Sequence, residues 1–368
     1  MTKFKPFNLM QHYLSFIIAT LFLISSASSC TQQQRASIAV TPSAYGKVDN
    51  IMVIADEYTW TTTIGDTFKN YFEALYPVTP QPEPIYDLRY KTPKQFNEGK
   101  ILRTHRAILI MGALDDMNDP ASAEIRKAIG PENVEKAKNQ PSYRIASHKD
   151  RWAEGQTVVY WFGPTREALL KTVAKDYQEV MKQFNKADTD FFIQQIYAPG
   201  SNVDATNAIF ANFKIDLKIP SDFSIANIDS NSVWLRRETN KTSSNIFITT
   251  LPIADSTALN PENHKRIRNQ LTKVYFSTHI ENSYMQIDDQ VLPIYYQEMT
   301  FDKKTALQAR GLWGMVNDFM GGPFVTYMIK DPANDRVIIL DGFIHAPGQK
   351  KRPEMRKLDM IFSTFSSL

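Results

Sequence analysis

The chain has 368 residues, of which 43% are hydrophobic and 12% aromatic, and its 42 Lys and Arg residues nearly balance its 39 Asp and Glu residues. This composition is typical of a globular protein with a large core, and the near-neutral charge argues against a nucleic-acid-binding surface. Because the sequence has one cysteine, an internal disulfide and a thiolate zinc site are both excluded.

The first 29 residues have the composition of an export signal. Lys3 and Lys5 supply positive charge without an acid, residues 16–24 form an apolar run, and small residues follow. An apolar run of about 7–15 residues between a basic start and small residues is typical of a secretory signal and is too short to span a membrane. Its removal would take away two lysines and no acid, leaving 40 basic and 39 acidic residues.

The string Ala27-Ser28-Ser29-Cys30 resembles the lipobox of a bacterial lipoprotein signal, although Ala27 stands where leucine is commoner. The resemblance implies that the Cys30 thiol carries acyl chains such as palmitate and becomes the first residue of the mature protein. An ordinary signal peptide with an incidental cysteine is the alternative. If Cys30 is acylated, residues 30–45 are a lipidated tether, and the lack of an acidic cluster in this tether favours an outer-membrane lipoprotein that faces the periplasm.

Residues 46–200 alternate between strand-like and helix-like segments, which predicts an α/β domain. The expected strands are 48–55, 85–90, 106–112 and 158–162. Helices are expected at 66–75 and 165–184, and two more begin where Thr92 and Asp119 precede a proline, a pattern typical of helix N-caps.

Residues 201–368 favour an antiparallel sheet and therefore an α+β domain. The expected strands are 213–219, 232–239, 245–251, 295–301, 305–315, 324–329 and 336–344, with helices opening at Pro261 and Pro353. This order resembles the sandwich of the PsbP-like photosystem proteins. The last three strands should form a meander with Gly321-Gly322-Pro323 as its first corner, and Leu340, Gly342 and Ile344 should face the last helix.

Tryptophan and arginine lie two or three positions apart on two expected strands, Trp234 with Arg236 and Arg310 with Trp313. Together with Asp318 they are the candidate ligand-binding residues, because such side chains stack on a sugar or peptide or bind a carboxylate. The alternative is that the tryptophans fill the core and the arginines pair with acids such as Glu238 or Asp318.

Asp56, Asp115 and Asp116 follow two expected parallel strands and are weak candidates for a Mg²⁺ or Ca²⁺ site, the alternative being helix caps. Asp341 and His345 share a strand face but lie about 13 Å apart at ~3.3 Å per residue, too far for a catalytic dyad. The sequence therefore predicts no catalytic residue, metal or cofactor.

Several strings resemble the pattern of an uncharacterised Bacteroidota lipoprotein family, a domain of unknown function, over nearly the whole mature chain. They are Pro82-Glu83-Pro84, Trp234 to Glu238, Ser283-Tyr284-Met285, Arg310 to Trp313, Met320 to Phe324, Gly342 to Pro347 and Lys351-Arg352. Position 308 departs from the pattern, because it holds Gln308 where the family has an acid. This departure puts in doubt any charge pair of Arg310. The resemblance implies location and architecture but no catalytic residue.

We therefore expect a non-catalytic binding or assembly component of the envelope, held at the membrane by its lipid anchor, with an envelope protein or glycan as partner and no nucleic acid. An envelope hydrolase that uses the carboxylates at the strand ends of the first domain is one alternative. A purely structural partner in an envelope complex is the other.

Overall fold

The computed structural model describes residues 41–254 and 259–367, so the expected signal segment, Cys30 and most of the expected tether lie outside the described residues. A five-stranded sheet occupies the first half of this part and an eight-stranded sheet the second. Within the described ranges, no helix has both the length and the apolar character needed to cross a membrane.

The first sheet is mixed, with strand order β2-β1-β3-β5-β4. Its strands are β1 Asn50–Ile54, β2 Asp87–Lys91, β3 Ala107–Ala113, β4 Ile145–Lys149 and β5 Thr157–Gly163. All pairs are parallel except β4 with β5. The four expected strands are confirmed, whereas β4 was not predicted because this half-exposed edge strand lacks a hydrophobic pattern.

Six helices cover the two faces of the first sheet. They are α1 Glu57–Thr61, α2 Thr63–Phe72, α3 Pro93–Glu98, α4 Pro120–Ile129, α5 Pro131–Asn139 and α6 Arg166–Tyr197. The predicted N-caps are confirmed, since Thr92 accepts from the Gln95 N–H and Asp119 from those of Ala121 and Ser122. Helices α2 and α6 pack on one face and α3 to α5 on the other.

The second sheet is antiparallel, in the order β10-β12-β13-β14-β9-β8-β7, with β11 also paired to β12. Its strands are β7 Ser224–Ile228, β8 Ser232–Glu238, β9 Ser243–Pro252, β10 Tyr284–Ile287, β11 Tyr295–Phe301, β12 Lys304–Val316, β13 Gly321–Asp331 and β14 Arg336–His345; β6 Ile215–Asp216 pairs with β15 Ser366–Ser367. The helices are α7 Val203–Phe213, α8 Pro261–Tyr275 and α9 Arg352–Phe362. Helices α7 and α9 cover one face and α8 the other.

The predicted meander of β12, β13 and β14 is confirmed. Leu340 and Ile344 are fully buried against Leu358 and Phe362 of α9. A Cβ on Gly342 would lie 2.9 Å from the Phe362 ring, so this face of β14 packs directly on the last helix, as expected.

Two expectations for this half are wrong. Residues 213–219 do not form one strand, because Phe213 ends α7 and only Ile215–Asp216 are paired as a strand. The alternating residues Ile215, Leu217 and Ile219 are nevertheless all buried, and this explains the pattern. The first corner of the meander is residues 317–320, since Gly321 already belongs to β13.

The two halves meet through the loop Pro82-Glu83-Pro84 and the start of α9. The Glu83 carboxylate accepts hydrogen bonds from the Lys351 N–H at 2.6 Å and the Arg352 N–H at 3.0 Å. Backbone N–H groups at a helix start lack intrahelical acceptors, so Glu83 stabilises the last helix from the other half of the chain.

A cluster of buried charges lies beside this contact, and we call it the junction cluster. Asp49 pairs with Arg352 at 3.4 Å and also with Arg356, and its N–H donates to Asp188 at 2.8 Å. Asp188 in turn pairs with Arg106. Because these side chains are almost completely removed from solvent, the pairing is what makes their burial tolerable.

Candidate functional site

An aromatic cleft of about 300 Å³ opens on the side of the second sheet that α8 covers. Trp234 on β8, Trp313 on β12 and Phe343 on β14 line it, together with Phe276 at the end of α8. Arg236 lies on the same face of β8 as Trp234, because alternate residues of a strand share a face. The structure therefore brings the predicted residues Trp234, Arg236 and Trp313 into one site.

The rings of the cleft contact one another edge to face. The centroid of Phe276 lies 5.0 Å from that of Trp234 and 4.8 Å from that of Phe343, and Trp313 lies 5.7 Å from Phe343. Such contacts add to the stabilisation that burial alone supplies. The cleft is thus a preformed aromatic surface.

The polar edges of both tryptophans are bound within the protein. Trp234 Nε1 donates to Asn245 Oδ1 at 3.0 Å, and Asn245 Nδ2 donates to Ser243 Oγ at 3.1 Å. Trp313 Nε1 donates to the Ile344 carbonyl at 3.2 Å. The indoles consequently have fixed orientations and present their apolar surfaces to the cleft.

The close packing around Gly322 accounts for one of the two glycines in the string from Met320 to Phe324. A Cβ at this position would lie 2.0 Å from the Ile344 carbonyl oxygen and 3.4 Å from Trp313 Nε1. Any side chain here would therefore push β13 away from β14 or displace the Trp313 hydrogen bond. The glycine is required by space at the base of the cleft.

Asp341 and His345 do not form a pair, as expected. Arg268 of α8 donates to both Asp341 oxygens, at 2.9 and 3.1 Å, and the Thr326 hydroxyl also contacts this carboxylate. His345 Nδ1 lies 3.1 Å from the Gly321 carbonyl oxygen, which can only accept, so this nitrogen donates. Asp341 serves to hold α8 against the sheet, and His345 is oriented at the wall of the cleft.

Arg310 does not belong to the aromatic cleft. It projects from the opposite face of β12 into a cleft of about 640 Å³ between the two halves of the chain. Its guanidinium donates to Asp359 at 2.7 Å and to Gln308 Oε1 at 3.1 Å, and lies 3.4 Å from the Tyr76 hydroxyl. Arg310 therefore has a charge partner that the sequence analysis did not identify, and Gln308 supports that pair.

The two remaining acidic candidates of the second half lie outside the aromatic lining. Asp318 is in the turn between β12 and β13, where its carboxylate accepts from the Phe319 N–H at 2.7 Å. Glu238 pairs with Arg236, as the alternative interpretation expected. The turn nevertheless contributes to the site, because Met320 lines the cleft beside the fully exposed Phe319.

The carboxylates at the strand ends of the first sheet converge, but on an arginine. Arg166 at the start of α6 lies 3.3 Å from Asp56 and 2.6 Å from Asp116, whereas Asp115 is exposed. The hydrogen bond from Arg166 lowers the pKa of Asp116. In the described ranges, no group of three or more His, Cys, Asp or Glu residues is arranged to hold a metal ion.

Sequence reasoning did not place Asn245, Phe276, His279 and the three methionines Met285, Met315 and Met320 at the cleft. Trp313 and Met315, like Phe343 and His345, are two apart on a strand, so period 2 could have grouped them. By contrast, Phe276 and His279 follow a helix end, and only the tertiary fold brings them there.

Two family models match the chain. Residues 44–197 match a domain of unknown function (DUF8532), and residues 202–364 match a domain of unknown function (DUF4837). No curated protein matches the chain.

Some solved structures have a weak structural similarity to this chain. A point mutant of the protein Mog1 has a TM-score of 0.28 and 13% identity, covering 42% of this chain and 90% of that chain. The Saccharomyces cerevisiae Ran-binding protein Mog1p also has a TM-score of 0.28 and 13% identity, covering 42% of this chain and 89% of that chain. The two matched domains of unknown function account for most of this chain, in the regions that hold its five-stranded and its eight-stranded sheet.

Proposed function

We propose that the protein is a bacterial envelope lipoprotein that binds a ligand in its aromatic cleft without catalysis. In this proposal acylated Cys30 anchors it in the outer membrane, facing the periplasm, and it belongs among Bacteroidota lipoproteins with a PsbP-like second domain. The observation that carries the proposal is the convergence of Trp234, Arg236 and Trp313, which come from strands far apart in sequence, on one cleft.

The chemistry of the first sheet supports a non-catalytic function. The hydrolase alternative needs Asp56, Asp115 or Asp116 as a free acid, base or metal ligand. Asp56 and Asp116 instead bind the same guanidinium of Arg166, and Asp115 is exposed beside them in sequence. The arrangement is that of a structural ion pair at the carboxyl ends of parallel strands.

Site-specific crosslinking in cells tests the binding function. A photoreactive benzoylphenylalanine in place of His279, an exposed residue of the cleft, should give a light-dependent adduct that mass spectrometry identifies. The same group in place of Arg89, an exposed residue of β2, is the control and should not give that adduct. No adduct at position 279, or the same adduct from both positions, would contradict the proposal.

The anchor is tested by Cys30→Ser in the full chain. Because an acyl chain contributes about 0.8 kcal/mol per buried CH₂ and stable attachment needs more than one chain, the variant should move from the detergent phase to the aqueous phase. Phase partition followed by immunoblotting measures this, with Thr31→Ser as the matched control. An unchanged partition of Cys30→Ser would exclude the lipid anchor.

A further inference from the structure

The interior of the aromatic cleft is suited to the apolar part of a ligand. Phe276, Met285, Trp313 and Phe343 form its floor and are each less than 5% exposed. Both indole N–H groups already have acceptors within the protein. Methionine side chains adapt to ligands of irregular shape, and three of them line this cleft.

The mouth of the cleft has the opposite chemistry. Among the described residues that line the cleft there is no Asp or Glu, whereas Arg236 and His279 are exposed and His345 is half-buried. Arg236 uses Nε for its ion pair with Glu238, and about 45% of its side chain is exposed. Its two terminal amino groups remain for a ligand, and a guanidinium binds carboxylate and phosphate through such paired donors.

We infer that the ligand of the aromatic cleft is a small anionic amphiphile, with an aliphatic or aromatic body on the ring floor and a carboxylate or phosphate at Arg236. The inference rests on the proposed binding function and specifies the ligand class for the same cleft. Arg236 supplies charge complementarity at the mouth, and Glu238 competes with the ligand for the same guanidinium.

The volume limits the size of the ligand. Ligand pockets commonly enclose about 300–1,000 Å³, so a cleft of about 300 Å³ takes a compact molecule or one medium-length chain. Decanoate and decyl phosphate are therefore suitable probes, since they share the chain and differ in the source of negative charge. Decanol and decyltrimethylammonium carry the same chain with no charge or a positive one.

Titration calorimetry on the full chain carrying Cys30→Ser, which needs no detergent, compares the three charged probes below their micellar concentrations and decanol below its solubility limit. At least one anionic probe should bind about tenfold more tightly than the cation, which is the difference expected for a charge-assisted hydrogen bond. Arg236→Gln should remove most of this preference, and Glu238→Gln should increase the affinity for the anion. Arg89→Gln, on the exposed surface of the first half, should change neither.

Equal affinity for all four probes would overturn the anionic class and leave the cleft as a binding site. An anion affinity unchanged by Arg236→Gln would also overturn it. If no probe binds, the ligand class is wrong, and the crosslinking experiment at position 279 separately decides whether the cleft binds anything. Trp234→Phe, which keeps an aromatic ring but removes the indole, should lower the affinity for every probe that binds in the cleft.

Discussion

At the scale of single residues, the second half contains a buried histidine that the fold keeps neutral. His264 on α8 lies between Tyr296 and Phe324, with ring centroids 5.4 and 6.0 Å away. Burial, assisted by the nearby Arg268 guanidinium, lowers the pKa of His264 to about 3. At pH values below the ordinary histidine pKa of about 6.5, the unfolded chain therefore binds a proton at this position that the folded chain does not.

This difference predicts a loss of stability with acid. Between pH 6.5 and about 3 the unfolded state binds more protons at position 264, so the free energy of unfolding should fall as pH falls, by at most about 1.4 kcal/mol per pH unit from this histidine. His264→Phe should flatten that slope, whereas His279→Phe at an exposed site should not. Urea unfolding at a series of pH values measures it, and equal slopes for wild type and His264→Phe would contradict it.

The spacing of two residues on one strand predicts whether their side chains share a face of the sheet. Trp234 and Arg236 are two apart, and the period of a strand places both at the cleft. Arg310 and Trp313 are three apart, so the same rule places them on opposite faces, and the structure does so. The partner of Arg310, Asp359 on α9, depends on how that helix packs, which spacing does not reveal.

At the scale of elements, caps and buried strands were predictable because their signals are local. The proline after Thr92 or Asp119 and the apolar runs of β1, β3 and β5 each identify an element from a few neighbouring residues. The region around Phe213 was ambiguous because Ala205, Ile209 and Phe213 repeat at helical spacing while Phe213 to Ile219 alternate. Both sets are buried, so tertiary packing decides which residues form helix.

The start of α9 is the element most dependent on a distant residue. Glu83→Ala removes the acceptor for the Lys351 and Arg352 N–H groups, and we expect about 2 kcal/mol of lost stability, since hydrogen bonds to charged groups contribute about 1.5–3 kcal/mol. Urea unfolding measures the loss, and hydrogen exchange should show faster opening of the first turn of α9. The exposed Glu98→Ala is the control, and an equal effect of the two substitutions would exclude the cap.

At the scale of the whole molecule, the junction cluster makes the two sheets depend on each other. The sequence predicted two domains but not this contact, because Asp49 lies beside a strand of the first sheet and its partners Arg352 and Arg356 lie on the last helix. Charged residues at such distances carry no periodicity that would link them. Only the folded structure shows that they are buried together.

Asp49→Asn should therefore destabilise both halves. It leaves the buried Arg356 guanidinium without the carboxylate that it pairs with and leaves Arg352 with Asp87 as its remaining partner, and breaking a buried pair in this way costs about 3–5 kcal/mol. Hydrogen exchange measured by mass spectrometry should show the strands of both sheets losing protection together. Asp66→Asn, at an exposed surface pair, should have little effect. Loss of protection in the first sheet alone would show that the halves unfold independently.

The contact between Glu83 and Lys351 spans 268 positions, and this separation sets an order of events during synthesis. A chain is made from its N-terminus, so the whole first half exists long before the counter-ions of Asp49 have been translated. Until Arg352 and Arg356 arrive, that carboxylate must stay hydrated and the face around it open. A chain that stops short of the last helix therefore keeps an unpaired carboxylate and an uncovered surface on a first half that is otherwise folded.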